Sequence, residues 1–127
     1  MTTYFGFGLA DSMFPPACTL SRVQITIERA IALVEGGVVS CLNPSHAATV
    51  AAMSARGLRV AIPATAPKVA LVVGDRLVVL GVRGLPRLEG RHEYTDEEIA
   101  GATFALALYL VEPLSRSHPD PEFRRPL

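Results

Sequence analysis

The side chains best arranged to do chemistry lie in residues 43–57. Asn43-Pro44-Ser45-His46 opens a segment that runs through Ala47-Ala48-Thr49 to Arg56-Gly57. Asn43 is a strong helix N-cap, because its side-chain oxygen accepts from the free backbone N–H groups of a first turn. Pro44 suits the first helical position, where an N–H is not needed. Gly57 falls where a left-handed C-terminal cap belongs. A helix that starts this way presents free N–H groups and the positive end of its dipole, which together attract anions. His46 lies within a turn of any phosphate held there, and an imidazole transfers protons near neutral pH. A well-capped surface helix with an incidental histidine accounts for the same residues.

Other polar residues offer weaker signals. Arg83 and Arg87 carry guanidinium groups that suit bidentate phosphate contacts. They serve equally as loop charges paired with Glu89 or Glu93. Lys68 contacts an anion or marks the edge of a strand. Ser12, Ser45 and Thr49 can donate to ribose or phosphate oxygens, although a threonine one turn into a helix also bonds the backbone. His92 reads as a solvated loop residue, and His118 lies in the C-terminal tail. Asp11 and Glu89 raise the question of a carboxylate-bound metal, but no His/Asp/Glu cluster has ligand spacing. Cys18 and Cys41 are too far apart in sequence for a zinc motif. Neither a metal nor a cofactor is expected.

These residues need a scaffold, and 127 residues are enough to bury one core without disulfides. Hydrophobic residues make up 50% of the chain and charged residues 19%, a folded rather than a disordered composition. The 12 basic and 12 acidic residues cancel, so there is no global field to hold duplex DNA. Two free thiols suit a reducing cytoplasm. Met1-Thr2-Thr3-Tyr4 lacks the basic start of a signal peptide. The longest apolar run, Phe104–Val111, is too short to span a membrane.

The periodicities predict the order β, β, α, β, α, β, β, α, β. Tyr4–Leu9 and Leu20–Ile25 alternate as strands. Ile27, Ala30, Ile31 and Val34 follow helical spacing up to Gly36-Gly37. Val38–Leu42 is a short apolar strand, followed by the Asn43-capped helix. Val69–Val73 and Leu77–Val82 flank Gly74-Asp75-Arg76, which predicts an antiparallel hairpin at the centre of the sheet. Thr95-Asp96-Glu97-Glu98 is a capping box for a short helix that Gly101 closes. Phe104–Val111 places apolar residues on alternate positions and reads as the last strand. The result is an α/β (α+β) single domain, a mixed sheet of about five to six strands flanked by helices. Residues 113–127 hold four prolines and three arginines without an apolar period, which predicts a flexible tail after a domain spanning 1–112.

The segments from Tyr4 to Glu112 together resemble a small viral protein family that includes the viral type III anti-CRISPR ring nucleases. The resemblance rests on Ala10–Phe14 after the first strand, Val39–Ala48 running into a helix start, and Lys68 before the hairpin. It rests further on Val73–Val79, Arg87-Leu88-Glu89-Gly90 and Thr95–Ile99. It implies a mixed-sheet homodimer in the host cytoplasm that holds cyclic tetra-adenylate, a defence messenger, between subunits. It further implies metal-independent attack of a ribose 2′-OH on the adjacent phosphate, assisted by a histidine at a helix start. Carried onto this chain, His46 is the catalytic candidate. Ser12, Asn43, Ser45, Lys68, Arg83, Arg87 and Glu89 are the ligand-binding candidates.

The chain departs from the family in places. Gapless alignment puts Pro44 at the family histidine, with His46 two residues later. Two residues turn a helix by roughly 200°. Gly81 replaces a glutamine, and a loop two residues longer leaves Arg83 and Arg87 competing for one arginine position. These differences keep two alternatives open. One is a sponge that sequesters the nucleotide uncut. The other is a protein-interaction module that uses a dimer edge or Arg124-Arg125.

Overall fold

The computed structural model describes residues 1–42, 44–55, 57–59, 69–90 and 93–125. Five strands form one mixed sheet: β1 (Thr3–Gly6), β2 (Thr19–Ile25), β3 (Val39–Ser40), β4 (Arg76–Arg83) and β5 (Thr103–Glu112). Their spatial order is β2-β5-β4-β1-β3. β1 runs parallel to both β3 and β4, whereas β5 runs antiparallel to β4 and β2. Three α-helices occur among the described residues: α1 (Ile27–Glu35), α2 (Ala47–Ser54) and α3 (Asp96–Gly101). None is long and apolar enough to cross a membrane.

Local chemistry explains where the helices start and stop. Thr26 Oγ1 accepts from Arg29 N at 3.2 Å, which caps α1. Gly37, with φ of 101°, supplies the left-handed residue past its end. At α3, Thr95 Oγ1 accepts from Glu98 N at 3.1 Å, while Glu98 Oε1 accepts from Thr95 N at 2.9 Å, the reciprocal bonds of the expected capping box. Gly57 has φ of 97° and donates to Ser54 O at 3.1 Å, and Leu58 N donates to Met53 O at 3.3 Å. Those two bonds are a Schellman closure of α2, at the glycine where one was expected.

The sheet is packed on both faces because successive strand residues point to opposite sides. On one face Phe5, Val78, Leu80 and Leu106 meet Ala30 and Leu33 of α1 and Val50 and Met53 of α2. On the other, Leu77 and Val111 meet Met13 and Leu71, with Tyr4 and Tyr109 against them. The first face is covered by helices. The second is covered by a single 3₁₀ turn, Asp11–Met13, and the irregular chain around Leu71.

Three expectations need correction. Val69–Val73 is not a strand, and the hairpin with Leu77–Val82 does not form. β4 already has β1 on one edge and β5 on the other, so no edge is left for it. Leu71 N donates instead to Met13 O at 2.7 Å, and Val72 and Val73 are exposed. The Gly74-Asp75 turn exists, but Asp75 makes it an anchor. Asp75 is 5% exposed; its Oδ1 accepts from Thr2 N and its Oδ2 from Val72 N, both at 3.0 Å. The second correction concerns the helix expected to start at Asn43. Regular α-helix begins only at Ala47, after a 3₁₀ turn over Pro44–His46, and His46 is the N-cap. The third concerns β1, which stops at Gly6 rather than Leu9.

The chain beyond β5 closes on itself. Ser115 bridges Arg124, and Arg124 Nε donates to His118 O at 2.8 Å. The His118 and Phe123 rings sit 5.3 Å apart.

Candidate functional site

Parallel strands align their carboxyl ends, and ligand sites in α/β sheets form there. β1, β3 and β4 end on the same side of this sheet. β3 feeds the 3₁₀ turn and α2, so the start of α2 belongs to that side. Cys41 N donates to Phe5 O at 2.8 Å and Leu42 N to Ser40 Oγ at 3.1 Å, which hold the chain in place as it leaves β3.

His46 is the centre of this region. Its backbone sits at φ −90° and ψ 0°, the bridge region of a turn rather than the extended conformation usual for an N-cap, and its side chain makes no capping bond. The imidazole packs on Phe7 instead, with ring centroids 5.1 Å apart and planes at 37°. Burial against its neighbours pushes the His46 pKa below its ordinary value, since desolvation penalises the imidazolium. The first turn of α2 carries no acidic side chain to oppose an anion at that helix end. Ser45, next to His46, is exposed.

Sequence reasoning did not single out Phe7. Its signal was the alternation of Tyr4, Phe5, Gly6 and Phe7, which puts Phe5 and Phe7 on one face. Both belong to the helix-covered core. Gly6 lies between Phe5 and Phe7. A Cβ there would sit 3.6 Å from Cys41 Cβ and 3.5 Å from Leu77 Cδ1, so its neighbours are the protein's own chain in ordinary contact.

The remaining candidates distribute as follows. Arg83 ends β4 and is exposed at the same end of the sheet as His46. Arg87 and Glu89 are exposed on the loop that follows it. Ser12 is exposed on the 3₁₀ turn whose Met13 packs on the other face of the sheet, away from the face that holds Phe7. Asn43 and Lys68 lie outside the described residues. Among the described residues no group of three or more His, Cys, Asp or Glu side chains is placed to hold a metal ion.

The architecture is that of a small α+β protein with a five-stranded mixed sheet. Its fold is similar to that of B116 of Sulfolobus turreted icosahedral virus, with a TM-score of 0.62 over 87% of this chain and 99% of that chain. At 14% identity the likeness is one of fold. No protein-family model and no curated protein sequence matches the chain.

Proposed function

We propose that this protein binds a cyclic oligonucleotide messenger of the cyclic oligoadenylate type and cleaves it to silence an antiviral defence signal. It does so as a homodimer in the cytoplasm of an infected host, with the ligand between the two copies. The observation that carries this reading is His46 at the N-terminus of α2, its ring on Phe7, where β1, β3 and β4 end. The first-turn N–H groups of α2, with Arg83 or Arg87, Ser45 and Lys68, hold phosphates. Asn43 and Glu89 contribute further ligand contacts, whereas Ser12 lies with Met13 toward the other face of the sheet and is not assigned one.

The chemistry needs no external nucleophile. A ribose 2′-oxygen attacks the neighbouring phosphorus, the bond from phosphorus to the 5′-oxygen breaks, and the 2′ proton passes to solvent. His46 delivers a proton to the leaving 5′-oxygen. The products are a 2′,3′-cyclic phosphate and a 5′-hydroxyl. Positioning the attacking oxygen supplies much of the acceleration.

A sponge is the second reading. The lowered His46 pKa favours the neutral imidazole, which is the wrong protonation state for a proton donor. Chromatography after incubating chelator-treated protein with cyclic tetra-adenylate and its tri- and hexa-adenylate relatives separates the two. Linear fragments with cyclic phosphate ends support cleavage. His46→Ala should then lower the rate about 10²–10⁴-fold with binding retained. Unchanged turnover in that variant would overturn the role of His46. Intact ligand recovered from denatured protein would establish the sponge.

A further inference from the structure

At the opposite end of β1 lies a cleft of about 610 Å³. It opens between the C-terminal turn of α1 and the first residues of β1, β3 and β4. Arg29 and Arg76 line it, and among the described residues no carboxylate does. The volume falls within the range of small-molecule sites, roughly 300–1,000 Å³.

Each wall has a reason. Arg29, Leu33 and Gly36 lie on one flank of α1 at helical spacing, so the arginine and the small residue at the helix end share the cleft. A Cβ on Gly37 would meet nothing within 4 Å, and its φ of 101° disfavours any other residue. The Gly36-Gly37 pair thereby keeps the rim open. Arg76 Nε and Nη2 both donate to Thr3 Oγ1, at 3.2 and 3.0 Å. That contact orients the guanidinium and leaves its other N–H groups for a ligand. Val38 and Val39 add an apolar wall, and Val39 is 43% exposed. The carbonyl end of α1 would repel an anion. Ala32 O and Val34 O, however, are already bonded by Gly36 N at 3.1 Å and Gly37 N at 3.0 Å, which blunts that end.

The geometry points to a binding site in this cleft for a phosphate monoester carried on an apolar or aromatic body. Two guanidinium groups match the charge of a monoester dianion and its planar sets of oxygens. The valine wall takes the body. This site is independent of His46 and requires neither cleavage nor the second copy.

Amide chemical-shift titration of the full chain with inorganic phosphate, phenyl phosphate and benzyl alcohol tests the assignment. Phenyl phosphate should shift Thr3, Gly37 and Val39, and bind more tightly than inorganic phosphate, while benzyl alcohol stays silent. Arg29→Gln, on an exposed helix position, should weaken phenyl phosphate about tenfold, and Arg29→Lys by less. Arg76→Gln should weaken it further. If that variant unfolds, Arg29→Gln alone decides. Absence of shifts, shifts confined to residues 44–50, or equal affinity in Arg29→Gln would overturn the site.

Discussion

His46, the central residue of the candidate site, is also a group whose charge state is coupled to folding. Burial lowers its pKa in the folded protein, so the unfolded chain binds the extra proton more readily. Its contribution to stability is therefore complete above the ordinary histidine range, about 6.5, and is lost as pH falls through the lower folded value. Wild-type protein should lose more stability than His46→Gln between pH 7 and pH 5, by denaturant midpoints. Equal losses would show that the ring on Phe7 is not the source. If His46 donates a proton in cleavage, the same shift makes the rate climb as pH drops below neutrality. Phosphate binding opposes the shift, because a nearby anion favours the imidazolium.

Among elements, the turn before β4 is the most informative. Asp75 ties the start of β1 to the chain ahead of β4, and its backbone continues the tie. Val111 N donates to Asp75 O at 3.0 Å, and Gly74 N to Val111 O at 2.8 Å. Asp75→Ala should destabilise the protein by roughly 2–3 kcal/mol, because Thr2 N and Val72 N lose a charged acceptor. Thermal melting reads this, and a change below about 0.5 kcal/mol would mean that solvent replaces the carboxylate. The same turn shows which parts of the fold were legible in the sequence. The Thr95 capping box, the Gly57 closure and the alternation through Phe104–Val111 are local patterns, and each appears as read. Gly74-Asp75 is local too, but whether the residues before it become a strand depends on a free edge. β1, more than seventy residues earlier in the chain, had taken that edge. The candidate site divides in the same way. A helix closed at Gly57 could be read from residues 43–57, but not its start at Ala47 behind a 3₁₀ turn, and the contact of His46 with Phe7 joins segments distant in sequence. The placement of Ser12 likewise follows from Met13 packing on the second face, which no spacing reveals.

At the scale of the molecule, two unequal half-cores share one sheet. Phe5, 1% exposed, lies under the helices, while Leu71, 2% exposed, belongs to the irregular chain that packs on the other face. Phe5→Ala should cost about 3–5 kcal/mol and Leu71→Ala about 2–5 kcal/mol. Both faces belong to the same strands, so each variant should unfold in one transition by fluorescence and circular dichroism alike. Separate transitions in Leu71→Ala would show that its face opens independently.

β1 is an interior strand that precedes both of its partners in the chain. Its partners are Val39 and Ser40 on one side and Arg76 to Val79 on the other. During synthesis Tyr4 and Phe5 emerge before β4 and wait until it has been made. Closing so long a loop comes at an entropic cost that local pairs such as β4 with β5 largely avoid. The order of synthesis and the order of assembly therefore run in opposite directions. The strand that leads into Phe7 completes its pairing only after β4 exists, so the end of the sheet that carries His46 takes shape late.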